Sequence, residues 1–460
     1  MKKIILLLTI LVSVMSCTTE SKPDYIVLRG KILNKDKDKD KVQLSSLCYG
    51  NRSNIPVNED GTFIDTLHVD AENVMLFHGG RLLYMYLEAG DDINVSFDME
   101  DFNNSIKFSG KGAAYNTYLL EKSALIKEGM AEYDNIYLLN ESEYKIVSEK
   151  QEAKLLELLS NTKNLPQEYI KREERNIKYG YLKQLNDYES NHGHYTKNAD
   201  YKVTSSFLNG LEDIDYNNFT DFVFSYSYSN LLYKHLDKEA KKIADSLGIE
   251  QDVAYMKALN TLENQKIKNI VSYKKAEFGI TITADLEQYF SEYLKASTNE
   301  ANNENVRKSY ELQLKVASGN PSPKFTNYKN IDGSTTSLDD FKGKYVYIDV
   351  WATWCAPCKA EIPFLKEIEK KYHDKNIEFV SISVDQAKNT HKWEKMVKDM
   401  ELEGVQIMAD KDFESQFIQD YFIKAIPKFI LLDPQGRIVT SNAPRPSEPS
   451  LVTMLETLEL

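Results

Sequence analysis

The stretch "KYVYIDVWATWCAPCKAEIPFL", Lys344 to Leu365, constrains this chain more than any other. "KYVYIDV" reads as a buried strand, and "CKAEIPFLKEIEKKYH" has the length and spacing of a helix. Between them stand two cysteines, Cys355 and Cys358, three positions apart. A strand that feeds a helix through so short a junction puts Cys355 where unpaired backbone N–H groups and the helix dipole favour a thiolate. Pro357 suits the first turn, because the N–H it lacks would be orphaned there. Cys358, one turn further on, is placed to attack a mixed disulfide formed at Cys355.

Such a pair can be half of a zinc site, a staple or a redox couple. Structural zinc needs four ligands, and no second Cys or His pair stands at a suitable spacing; His373 and His391 lie in helical patterns without partners. A staple across so small a loop would constrain little of the unfolded chain. Reversible thiol chemistry is the reading these residues favour, with Cys355 attacking and Cys358, the more buried thiol, resolving. It asks for no cofactor and no metal.

The remaining text of the C-terminal region, 319–460, supplies a sheet for that strand. "IEFVSISVD", "VQIMA", "KFILLD" and "RIVT" read as strands, while "THKWEKMVKDM", "DFESQFIQDYF" and "SLVTMLETLEL" read as helices. Strand–helix–strand followed by a late hairpin implies an α/β sheet with helices on both faces. Upstream, "GNPSPKF" at Gly319–Phe325 carries the Gly and Pro punctuation of a boundary.

A chain of 460 residues is too long for one ordinary core, and the pattern changes twice before that boundary. Residues 24–112 read as short strands broken by turn chemistry, including Asp60-Gly61, Gly79-Gly80 and Gly90-Asp91, which predicts an antiparallel β-sandwich-like domain. Residues 113–318 read as an α-helical domain: Ile170, Ile177, Tyr181, Leu185 and Tyr188 line one face of a helix beginning near Pro166, and "VAYMKALNTLENQKIKNIV" continues in kind. The alternating Lys and Asp at 35–41 suit a solvated hairpin loop better than calcium, since the lysines oppose a cation. The loop-like His192 and His194 have no further ligand cluster beside them.

At the N-terminus, "MKK" precedes the apolar run "IILLLTILVSVM", too short to span a bilayer comfortably and followed by Ser16 and Cys17. This segment resembles a bacterial lipoprotein signal. The resemblance implies a signal peptide over 1–16, a lipid on Cys17 and a tether over 17–23. With Cys17 lipidated, Cys48 stands alone, and no disulfide framework exists in the oxidising compartment that export implies. The net charge of −13 argues against nucleic-acid binding, which needs a basic face.

The active segment, together with "SPKFTNYKNIDGSTTSLDDFKGK" ahead of it, resembles the TlpA/ResA-like branch of the thioredoxin-fold thiol–disulfide oxidoreductases. The resemblance runs from about Pro321 to the C-terminus. It implies a thioredoxin fold and matches Trp354, Cys355, Pro357 and Cys358 to the redox motif. Asp349, six residues before Cys355, matches the buried acid that assists proton transfer; Glu361 matches the active-site glutamate of the branch. Pro427 matches the cis-proline facing the disulfide, and with Ile426 and Trp354 it would border a bound client. Residues 24–112 resemble the β-rich domain found ahead of such modules in envelope lipoproteins. The peroxidase version of the fold is disfavoured, because Thr353 does not stand in its Thr-x-x-Cys arrangement.

The expectation is a lipid-tethered envelope oxidoreductase that reduces disulfide-containing envelope proteins and is recharged by a membrane electron donor. Two rivals stand beside it: an oxidase or isomerase using the same site, and a binding or scaffold lipoprotein whose redox pair is secondary.

Overall fold

The computed structural model describes residues 23–36, 38–47, 52–68 and 71–460; the predicted signal peptide, Cys17 and Cys48 lie outside them. The chain divides into two compact units at Leu232/Tyr233, inside helix α6 (Tyr226–Leu247).

The first unit opens with β1 (Ile26–Leu33), β2 (Lys41–Ser46), β3 (Arg52–Pro56), β4 (Thr62–Leu67), β5 (Ala71–His78), β6 (Arg81–Glu88) and β7 (Asp92–Asp98). After the short α1 (Phe102–Ser105) comes β8 (Lys107–Lys111). They form two four-stranded sheets, β4-β1-β7-β8 and β3-β2-β5-β6. Alternation builds their common core: Ile26, Leu28 and Ile32 of β1 meet Val74 and Leu76 of β5 and Ile93, Val95 and Phe97 of β7. Gly61 serves its turn because its φ is +85° and a side chain would meet the Ile32 carbonyl oxygen at 2.2 Å. One expectation needs correction. β1 and β7 run parallel, so their sheet is mixed, not antiparallel. The reason is connectivity: the second sheet's strands are threaded between β1 and β7, so no hairpin links them.

Helices α2 (Ala113–Ala131), α3 (Glu141–Asn161), α4 (Gln167–Tyr195) and α5 (Phe219–Phe224) complete this unit. Asn116 covers the edge of β6 by accepting from the Tyr86 N–H (2.9 Å) and donating to the Tyr86 carbonyl (2.7 Å). The Tyr86 ring packs against Tyr115, Tyr169 and Phe224. Pro166 sits at the N-cap of α4, just ahead of its first turn, and Ile177, Tyr181, Leu185 and Tyr188 are buried as their spacing predicts. His192 and His194 differ from expectation: they belong to the last turns of α4, not a loop. Gly193 between them allows close approach of the Asn198 carbonyl oxygen, 2.8 Å from where a Cβ would stand.

Glu173 of α4 is fully buried, yet it is satisfied: it accepts from the Tyr118 hydroxyl (2.9 Å), the Asn176 amide (2.9 Å) and the Lys122 ammonium. Removing one partner of a buried pair leaves a desolvated charge. Lys122→Met is therefore expected to cost about 3–5 kcal/mol, whereas a loss below about 1 kcal/mol in chemical denaturation would show the pair to be incidental.

The second unit begins with the remainder of α6 and continues through α7 (Gln251–Leu259), α8 (Gln265–Gly279), α9 (Leu286–Ala296) and α10 (Glu300–Lys315). The expected continuous helix over α7 and α8 is interrupted, because Asn264 caps a new start by accepting from the Lys266 and Ile267 N–H groups. Residues 319–322 lie along the strand at 438–440: Gly319 N–H donates to Ile438 O (2.7 Å) and Ile438 N–H to Asn320 O (2.9 Å).

Then follow β9 (Tyr328–Asn330), β10 (Thr335–Thr336), β11 (Tyr345–Trp351), α11 (Ala356–Tyr372), β12 (Ile377–Ser383), α12 (Thr390–Asp399) and β13 (Val405–Met408). The chain ends with α13 (Gln416–Asp420), β14 (Lys428–Leu432), β15 (Ile438–Thr440) and α14 (Pro449–Glu456). They make a seven-stranded sheet ordered β10-β9-β13-β12-β11-β14-β15. β11 runs parallel to β12 and antiparallel to β14, which makes it central and buried on both faces. Val346, Ile348 and Val350 enter one core with Trp393 of α12; Tyr347 enters the other with Leu365 of α11 and Leu451 of α14. The small β9–β10 hairpin is absent from the sequence-level expectation, its strands being too short and polar to announce themselves.

Candidate redox site

The end of β11 delivers the chain to the start of α11, and Thr353 holds that junction. Its N–H and hydroxyl both donate to the buried Asp385 carboxylate, at 2.8 and 2.7 Å. Asp385 follows β12 and is itself steadied by Ser383. The junction is thus pinned from the neighbouring strand.

Cys355 is the N-cap of α11, and its sulfur accepts from the Cys358 N–H at 3.2 Å. That donor would remain to stabilise a thiolate at Cys355. The two cysteines form a disulfide with Cα atoms 5.3 Å apart. Burial does not separate them, at 4% and 3% exposure, so the expected greater burial of Cys358 is not found; helix position is what distinguishes them. Pro357 stands in the first turn and Pro363 lies inside α11. Trp354, 59% exposed, forms a rim with Phe413, their rings 6.3 Å apart.

Across from the pair lies the segment entering β14. The Ile426–Pro427 peptide bond is cis, and the Ile426 carbonyl oxygen is 3.8 Å from the Cys355 sulfur. The next residue, Lys428, donates to the Thr281 carbonyl (3.2 Å) after α8 and to Asn442 after β15. Burial pushes its pKa down to about 8.

Asp349, one register position from Val350 on β11, pairs with Ser381 and Phe429 on the strands either side and is buried. Burial, then the charges of Glu369 and Glu361, push its pKa up to about 8, against a hydrogen bond from Ser381. A carboxyl so placed can exchange protons near neutrality. Glu361 is also buried on α11, but its carboxylate is held by the Ser447 N–H and hydroxyl, each at 3.0 Å, with Arg445 at 3.9 Å.

The structure thus brings Cys355, Cys358, Trp354, Ile426 and Pro427 to one end of the sheet, with Asp349 beneath α11 and Glu361 on it. Sequence reasoning missed Asp385, Glu369, Ser447 and Lys428. Only Asp385, ending "SISVD", and Glu369, two turns beyond Glu361, left any sequence signal. Among the described residues no cluster of His, Cys, Asp or Glu could hold a metal ion.

A Cys-x-x-Cys disulfide at a helix N-terminus following a central strand, faced by a cis-proline segment, defines a thioredoxin-fold disulfide-exchange site. The Redoxin family pattern matches residues 317–455. The thiol–disulfide oxidoreductase ResA of Bacillus cereus is 31% identical over 130 residues, covering 28% of this chain and 72% of the relative. The ResA protein of Bacillus subtilis is 29% identical over 125 residues, covering 27% of this chain and 66% of the relative. Among solved structures, the thioredoxin domain of a thiol–disulfide oxidoreductase from Bacteroides vulgatus is 31% identical, covering 30% of this chain and 96% of that one, with a TM-score of 0.28. The chain belongs, through its C-terminal third, to the TlpA/ResA-like thioredoxin-fold proteins, and it is a thiol–disulfide oxidoreductase.

Proposed function

We propose that this protein is a membrane-tethered, extracytoplasmic reductase of protein disulfides. The observation that carries the reading is the Cys355 sulfur at the helix N-cap, accepting from the Cys358 N–H and lying beside the Ile426 carbonyl. Cys355 attacks the client disulfide, Cys358 resolves the mixed intermediate, and Asp349 takes the Cys358 proton. Trp354, Ile426 and Pro427 border the client strand. Glu361 acts on the site through the charge it sets near Asp349 and through its hold on the Ser447 segment. The β-rich region, taken as a sandwich, and the helical region 113–318 stand ahead of the module, with the helices divided between the two compact units at Leu232/Tyr233.

Lipid on Cys17, implied by the resemblance of the N-terminal segment to a lipoprotein signal, supplies the tether. A donor in the membrane returns the site to the dithiol. Equilibration of the full chain against glutathione buffers tests the direction. A potential below about −200 mV fits a reductase, whereas one near about −120 mV overturns it in favour of an oxidase. Metabolic labelling with palmitate tests the tether: Cys17→Ser should lose both label and membrane retention.

A further inference from the structure

Helix α11 turns a second buried carboxyl toward the Asp349 side of the sheet. Asp349 and Trp351 of β11, Glu369 of α11 and Gln406 of β13 border a cavity of about 10 Å³. That is about the room one water needs. Trp351 Nε1, Glu369 Oε1 and Gln406 Oε1 are all buried and have no hydrogen-bond partner among the described residues. Their residues are 2%, 7% and 5% exposed. Buried polar atoms are costly to leave without a partner, so three on the residues lining one small cavity mark a place for a shared water. The chemistry is complementary: a water can accept from the indole N–H and donate to the carboxylate and the amide oxygen. On the outer side stand Lys366, which donates to the Met400 carbonyl (3.0 Å), and the exposed Glu403.

We propose that Glu369 is the outward proton partner of Asp349, joined to it by a water in this cavity, so that the proton taken from Cys358 leaves to solvent past Glu403. The inference rests on the reading of Asp349 as the acid–base group. In the resolving step the Cys358 S–H proton passes to the Asp349 carboxylate, and the Cys358 sulfur attacks Cys355 in the mixed disulfide. The Cys355–client bond breaks and the Cys355–Cys358 bond forms. The client sulfur leaves with the electron pair as a thiolate and takes a proton from solvent. Asp349 then protonates the water, which hands one of its own protons to Glu369.

The surroundings suit this exchange. The charged groups facing the cavity are Asp349 from β11, Lys366 and Glu369 from α11, and Glu403 from the turn before β13, with Glu361 acting on Asp349 from α11. β12 and β13 bring only the neutral Ser381 and Gln406. Burial and the Glu403 charge push the Glu369 pKa up to about 7, against Lys366, close to that of Asp349. Nearly matched groups can pass a proton either way.

The test uses the full chain: the pH–rate profile for reduction of a model protein disulfide, and the carboxyl titration of Asp349 followed by ¹³C NMR. Glu369→Gln removes a neighbouring charge, so the Asp349 titration should move down by about one pH unit. Turnover should fall roughly 3- to 10-fold, with the profile moving in step. An unmoved titration and profile, or a uniform slowing with no pH shift, overturns the relay. Exposed Glu403→Gln serves as a second variant that keeps the fold, and it should lower the Glu369 titration; no movement there also counts against the relay. Asp349→Asn separates the two readings. If it slows turnover while Glu369→Gln does not, only the relay fails; if neither changes the profile, the acid–base reading of Asp349 fails as well.

Discussion

Replacing Cys358 with serine is expected to leave an enzyme that attacks a client disulfide once and stays attached to it. The backbone N–H of residue 358 still points at the Cys355 sulfur, so the nucleophile keeps its stabilising donor. What is lost is the second sulfur, one helical turn away, that would release the client. Turnover should fall by at least about three orders of magnitude, because the two cysteines act as one unit. Mixed disulfides on Cys355 should accumulate and disappear on addition of reductant. Cys355→Ser should be equally inactive but trap nothing. Clients trapped by the Cys355→Ser protein and not by Cys358→Ser would reverse the assignment of the two thiols.

Asp349→Asn carries the second large effect, and it acts on stability as well as rate. The native pKa of Asp349 stands at about 8, against an ordinary value of 3.8. Below pH 4 the carboxyl is protonated in both folded and unfolded chains and favours neither. Between pH 4 and 8 the unfolded chain releases the proton while the native protein keeps it. Each pH unit in that window costs the native state about 1.4 kcal/mol. Asparagine has the same shape and never ionises. The variant should match the parent near pH 3.5 and exceed it by up to about 4 kcal/mol at pH 7, read from denaturant midpoints. The gain should stop growing above pH 8. Turnover of the same variant should fall about 10²-fold, since Cys358 loses its proton acceptor. A stability difference that ignores pH would show that Asp349 is not held protonated by burial.

These expectations rest on parts of the molecule that differ in how openly the sequence declares them. The redox junction was legible because it is local: a strand, two cysteines, an N-terminal proline and a helix follow one another within a few turns. Pro427 was legible only through resemblance, since nothing near Ile426 in the chain points to Cys355. Burial misled in one instance, because both sulfurs lie equally deep once they are joined. The histidines of α4 were misplaced for a local reason, Gly193 suggesting a loop when its role is close packing within a helix. The parallel pairing of β1 with β7 could not be read at all, because strands with the same alternation suit either neighbour direction.

From the sequence by itself come the chemistry and its order along the chain: which sulfurs react, which of them sits at the helix start, and which acids and proline accompany them. Local spacing gives the two sulfurs and the helix start; the acids and the proline come only through the resemblance. Tertiary structure alone decided where the acids lie and what surrounds them. Asp349 meets Glu369 and Gln406 only because β11, α11 and β13 pack around one small cavity. Glu361 is held by Ser447 only because the segment before α14 returns over α11. Proton affinity depends on burial and on charges a few ångströms away, and those neighbours are brought together by the fold from positions far apart in sequence.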